Sequence, residues 1–207
     1  MMNKHFKMVI LVFMTFFVIS FITNIIGPLI PDIINDFELS LTLVALLPFS
    51  FFIAYGIISI PSGMLIQKVG EKTVMVLAFG LAFIGSSLFA FFPNYELAVI
   101  SLFLIGSGMA MLQVVINPLL RVSGGEENFA FNATLAQLIF GLASFISPNV
   151  FSYFMLNLNQ SNVENNWFID FFDFITPNHL LWISLYWLFA IISIIMILII
   201  GFFNFPK

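Results

Sequence analysis

The sequence predicts an all-α membrane protein, a bundle of six transmembrane helices. Three observations lead there. Hydrophobic residues make up 61% of the 207 residues and charged residues 8%, against about 25% charged in an ordinary soluble domain. Six uncharged stretches are long enough for the ~20 residues that cross a hydrocarbon core, at approximately 8–30, 41–66, 73–92, 97–120, 129–153 and 180–203. All 6 Lys and Arg residues fall outside the spans, before the first, after the sixth or in alternate connectors.

The same numbers exclude much else. With 6 basic and 10 acidic side chains, the chain cannot cover a water-soluble surface, so the surplus apolar area must face lipid. A soluble enzyme is excluded, and porin strands would be about half as long as these spans. With no cysteine and two isolated histidines there is no thiolate or cluster chemistry and a poor start for any metal site, so no metal or cofactor is expected. A net charge of -4 argues against a nucleic-acid partner, which wants a basic face.

The first span follows Lys4 and Lys7. Its apolar run is too long for a signal peptide and lacks a small-residue cleavage pattern, so it reads as a retained helix. The second span follows the breakers and acids of 31–40 and carries Tyr55, Ser59 and Ser62 at helical spacing. A short connector at 67–72 leads to the third span, and Pro93 to Glu96 leads to the fourth. The fifth follows Arg121 to Asn128, whose Glu126 and Glu127 read as surface charge; an Asn132-Ala133-Thr134 sequon inside that span is discounted. Before the sixth span, a polar run at 157–166 precedes an aromatic stretch at 167–174 that suits the headgroup zone, with Asp170 and Asp173 on one wet face.

Orientation follows from charge. Lys4, Lys7, Lys68, Lys72, Arg121 and Lys207 share one side, while Asp32, Asp36, Glu38, Glu96, Glu164, Asp170 and Asp173 occupy the other. The positive-inside rule makes the first side cytoplasmic and predicts a multi-pass protein of the cell inner (plasma) membrane with both termini inside.

The 67–72 connector resembles the signature of the major facilitator superfamily. Gly63, Lys68, Gly70 and Lys72 match it, whereas Gln67 and Glu71 depart from it. In physical terms Gly70 suits a tight turn, Gly63 a close helix approach, and the basic residues the cytoplasmic face. Ile60-Pro61-Ser62-Gly63, Asn117-Pro118 and Leu135-Ala136-Gln137 are similar, in order and placement, to the sugar permease branch that includes fucose and glucose/galactose transporters. That resemblance implies twelve helices in two bundles with substrate between them, so this chain is expected to correspond to the N-terminal half, with the second half absent. Phe205-Pro206-Lys207 resembles the start of the linker between halves. The expected partner is a second six-helix bundle, covalent or separate.

An amide in hydrocarbon must find a partner, so buried carboxamides point to the substrate site. Asn24, Gln113, Asn117 and Gln137 are the candidates. Gln113 and Asn117 share a helix face that continues back to Gly106, and Gln113 and Gln137 lie seven and eight residues from their cytoplasmic ends, at similar depth. Gln137 belongs to a stripe with Ala133, Gly141 and Ser144; Asn24 belongs to one with Ser20, Gly27 and Pro31. Tyr55 and Asn132 are secondary cavity candidates. Carboxamides match vicinal hydroxyls and aromatic faces cover sugar rings, which makes a sugar or similar uncharged polyol the sensible cargo.

Proton-coupled fucose permeases carry coupling carboxylates on the first and fourth helices, and the shared motifs place Gly27 and Gln113 there. Neither titrates, so this half supplies no proton relay. The expected function is secondary transport by alternating access, not enzymatic catalysis. The alternative is a non-transporting truncated or accessory six-helix membrane protein.

Overall fold

The computed structural model describes residues 4–158, 167–177, 179–203 and 205; the polar run at 159–166, with Glu164, and Lys207 lie outside them. Among the described residues the regular structure is helical: α1 (Lys4–Phe37), α2 (Leu41–Phe91), α3 (Tyr95–Gly124), α4 (Phe129–Asn157), α5 (Trp167–Ile175), a 3-10 turn (Leu181–Ile183) and α6 (Ser184–Phe202). Five of the described helices are long and apolar enough to cross a membrane.

The second and third spans form one element. As a straight rod the 51 residues of α2 would measure about 76 Å, far more than a ~30 Å core. Gly70 breaks it, with φ 80° and ψ 163°, a region essentially reserved for glycine. The two halves then flank one stretch of α3: Ser50 Oγ donates to Val99 O at 2.6 Å and Ser101 Oγ to Gly85 O at 2.7 Å. Ser50 and Gly85 would lie about 52 Å apart on a straight helix, so α2 is a hairpin and the bundle has six crossings. The expected 67–72 connector is therefore not a loop but two helix ends meeting at one residue.

Helices overrun the expected spans elsewhere too. α1 continues through Pro31 to Phe37, leaving three residues before α2, and α3 and α4 extend to Gly124 and Asn157. Pro31 and Asp32 thus belong to a helix and not to the connector. A helix satisfies its own backbone, so the apolar run ends before the hydrogen-bond ladder does.

Packing uses small residues, as expected where lipid removes the hydrophobic drive between helices. A Cβ on Gly85 would lie 2.9 Å from the Ser101 carbonyl oxygen, and one on Gly106 or Gly108 would collide with the carbonyl oxygens of Phe51 or Ala78. Gly106 is thus buried against α2, on the α3 face that it shares with Gln113 and that is expected to point inward. Gly63 does the reverse: a Cβ there would meet nothing within 4 Å, so it makes no close approach within this chain.

The α6 helix is fastened at both ends. Beside the acidic connectors, Trp182 Nε1 donates to Asp36 Oδ2, and the Trp182 ring packs against Phe37, Phe89 and Tyr186 at centroid distances of 5.9, 5.6 and 6.3 Å. At the other end Lys72 Nζ donates to Gly201 O at 2.8 Å and Phe203 O at 2.9 Å. These carbonyls lie in and just past the last turn, where a cation also meets the negative end of the helix dipole. Lys72→Met is expected to destabilise the protein by about 1–2 kcal/mol and Lys72→Arg by less, checked by thermal unfolding in detergent.

Candidate functional site

The predicted carboxamides lie near glycines with open surroundings. Gly27 on α1 and Gly141 on α4 are exposed, and a Cβ on either, or on Gly56 of α2, would meet nothing within 4 Å. Beside them stand the predicted carboxamides, with Asn117 and Gln137 exposed and Asn24 and Gln113 half-buried.

Asn24 is held from behind. Its Nδ2 donates to Ser20 O at 2.8 Å and Ser20 Oγ at 3.2 Å, while Ser20 Oγ donates to Phe140 O on α4 at 2.6 Å. Phe140 lies one turn from Gln137, so this relay sets the Asn24 turn beside the Gln137 turn. On α3, Asn117 Nδ2 donates back to Gln113 O at 3.3 Å. Both asparagines therefore use their N–H groups on backbone carbonyls and keep Oδ1 as an acceptor. No hydrogen bond links the four carboxamides to one another among the described residues.

Prolines add acceptors. Pro28 and Pro118 lie inside α1 and α3, and a proline gives no N–H to the carbonyl four residues back, here Asn24 O and Val114 O. Acceptors left without that donor are tolerated at membrane depth where they line a cavity or meet other protein groups.

Tyr55 stands half-buried in an aromatic group with Phe51 and Phe52, at centroid distances of 5.7 and 6.3 Å, and its carbonyl accepts the Ser59 hydroxyl. Thr23 of α1, one residue from Asn24, has a buried hydroxyl without a hydrogen-bond partner. Asn132 is placed elsewhere. It packs against Gly124 in a cleft at the lysine-bearing end with Phe6, Val9, Ser123 and Asn128. Of the signature residues, Lys68 is exposed and Lys72 is bound to the end of α6.

Sequence reasoning missed four positions. Ser20 was legible only as a member of the Asn24 stripe, with no sign that it reached α4. Asp36 and Trp182 are 146 residues apart, beyond any local pattern. Asp32, whose Oδ2 is buried without a hydrogen-bond partner, had the sequence context of a connector. Among the described residues no group of three or more His, Cys, Asp or Glu is placed to hold a metal ion.

Comparison with known proteins agrees with this fold. A glucose/galactose transporter of Brucella abortus (strain 9-941) is 37% identical over 136 residues, 64% of this chain and 33% of that protein. The L-fucose-proton symporter of Escherichia coli K12 is 32% identical over 125 residues, 59% of this chain and 28% of its own length. The crystal structure of the transporter FucP in the outward conformation superposes with a TM-score of 0.76 at 25% identity, covering 99% of this chain and 51% of that one. The chain thus spans about a third of the length of the curated relatives it matches and half of the solved structure. The Major Facilitator Superfamily model matches residues 12–207, and this integral, multi-pass membrane protein therefore belongs to that superfamily.

Proposed function

We propose that the chain is the N-terminal six-helix bundle of a secondary transporter for a sugar or similar uncharged polyol, working by alternating access against a second bundle and catalysing no reaction. What supports this reading is that Asn24, Gln113, Asn117 and Gln137, all uncharged hydrogen-bonding groups, are exposed or half-buried, and that Gly27, Gly56 and Gly141 have open surroundings. Acceptor oxygens suit a ligand rich in hydroxyl donors, and the Tyr55 group offers an aromatic surface beside them. Similarity to glucose/galactose and L-fucose transporters supports the substrate class. The lysine-bearing end, with both termini, is cytoplasmic by the positive-inside rule, and the second bundle covers the carboxamides.

The test is uptake of radiolabelled glucose, galactose and fucose by cells making the full-length protein. Gln113→Ala and Gln137→Ala each remove a hydrogen bond of about 1 kcal/mol and are expected to lower uptake by roughly fivefold or more at unchanged membrane abundance. Unchanged uptake of every sugar in both variants removes the two glutamines from the site.

A further inference from the structure

Of the predicted carboxamides, Asn24 has its amide tied to a second helix, and the tie has a direction. Phe140 O is a backbone carbonyl and only accepts, so the Ser20 hydroxyl, which reaches it at 2.6 Å, spends its single proton there. Toward Asn24, Ser20 Oγ is then left as an acceptor, and Ser20 O is one already. Both take their protons from Asn24 Nδ2, at 3.2 and 2.8 Å. Turning the Asn24 amide over would set Oδ1 against those two oxygens with no proton between them. The amide nitrogen is thereby held toward Ser20, and Oδ1 is directed away from it.

Asn24 is half-buried. Its Oδ1 accepts no hydrogen bond among the described residues, yet it is not one of the buried unpartnered oxygens, so it stays accessible. One turn on, Pro28 gives no N–H to Asn24 O. Asn24 therefore offers oxygens and no free proton. Ser20 decides this while itself fully buried.

The consequence falls on the ligand. A carboxamide free to turn meets either a donor or an acceptor, whereas one held as an acceptor meets only a donor. We propose that Ser20 is a positioning residue that makes Asn24 an obligate acceptor, so that the substrate hydroxyl bound there must donate its proton. This rests on the sugar-transport reading above. Ser20 touches no substrate; it acts through the Asn24 amide and through the fastening of α1 to Phe140 of α4, one turn from Gln137.

The test is competition against sugar uptake by deoxyfluoro sugars, each with a single hydroxyl replaced by fluorine, which cannot donate. In the full-length wild type, fluorine at one position is expected to weaken competition about tenfold relative to the parent sugar. In Ser20→Ala the Asn24 amide loses one of its two holds, and that gap is expected to shrink to about threefold or less. Ser20→Cys, close to serine in size but a weak donor, is expected to shrink it too and serves if the alanine variant does not fold. A merely structural role for Ser20 would lower uptake and leave the gap intact, which overturns the proposal. Equal competition by every fluorinated sugar in the wild type, as when the second bundle supplies the donor to Oδ1, also overturns it. Absence of any sugar uptake by the wild type defeats the transport reading instead, and the Ser20 claim is then decided by hydrogen exchange of the Asn24 side-chain amide. That signal is followed by NMR of the whole protein with isotope-labelled asparagine and identified by its loss in Asn24→Asp. Exchange about tenfold faster in Ser20→Ala than in the wild type supports the hold, and equal rates overturn it.

Discussion

Gly106→Ala is expected to remove most folded protein from the membrane. The new methyl carbon would collide with the carbonyl oxygen of Phe51 and lie 3.1 Å from its carbonyl carbon and Cα. These are backbone atoms of α2, so no side-chain rotation relieves the overlap. Overpacking typically costs about 1–3 kcal/mol, and a rigid helix pair should sit at or above the top of that range. Thermal unfolding in detergent and membrane abundance measure the effect. Gly141→Ala is the control, because a Cβ there meets open space; an equal loss in that variant would sink the packing explanation. Gly108→Ala is expected to behave like Gly106→Ala, against Ala78 in the other half of α2.

The second large effect is expected at Gly70, and it arises from backbone conformation alone. Nothing lies within 4 Å of where its Cβ would be, yet φ is 80° with ψ 163°. A β-branched residue is strained there by about 1–3 kcal/mol, and the relaxed alternative is to continue the helix, which opens the α2 hairpin. Gly70→Val should therefore lower both abundance and uptake, whereas Gly63→Ala, at an ordinary helical position with open surroundings, should change abundance little. A Gly70→Val protein with wild-type melting temperature and uptake would show that the turn tolerates a side chain.

The pair Gly63 and Gly70 shows how far the sequence could be read. Both stood out by their spacing within the signature, and a tight turn was the right physical reason for Gly70. For Gly63 the expected close approach is absent within the chain, because spacing reveals that a residue is small without revealing what it faces. Gly106 was read as part of an inward face of α3, and only the structure showed what it meets there. Helical periodicity put it on one face with Gln113, but α3 lies between α1 and both halves of α2, so part of that face is covered and part is open.

The carboxamides divide in the same way. That Asn24, Gln113, Asn117 and Gln137 sit at membrane depth followed from the apolar runs around them, and the cost of burying an amide made them candidates. Their partners were not legible. The relay from Asn24 through Ser20 to Phe140 O crosses 120 residues to a backbone carbonyl, and every residue type offers one. Asn132, a secondary candidate because it lies off the Gln137 stripe, is placed apart from the others, with its turn against Gly124.

By itself the sequence determined the solvent, the helical spans and the family, because bilayer thickness and the desolvation of charge act on local composition. Only the tertiary structure decided which small residues are helix contacts and which are open space, what Lys72 and Trp182 hold, and which polar groups share a face. Those depend on how helices rotate about their axes and pair. In lipid that is set by close packing and by hydrogen bonds between distant segments, which leave no periodic trace in the chain.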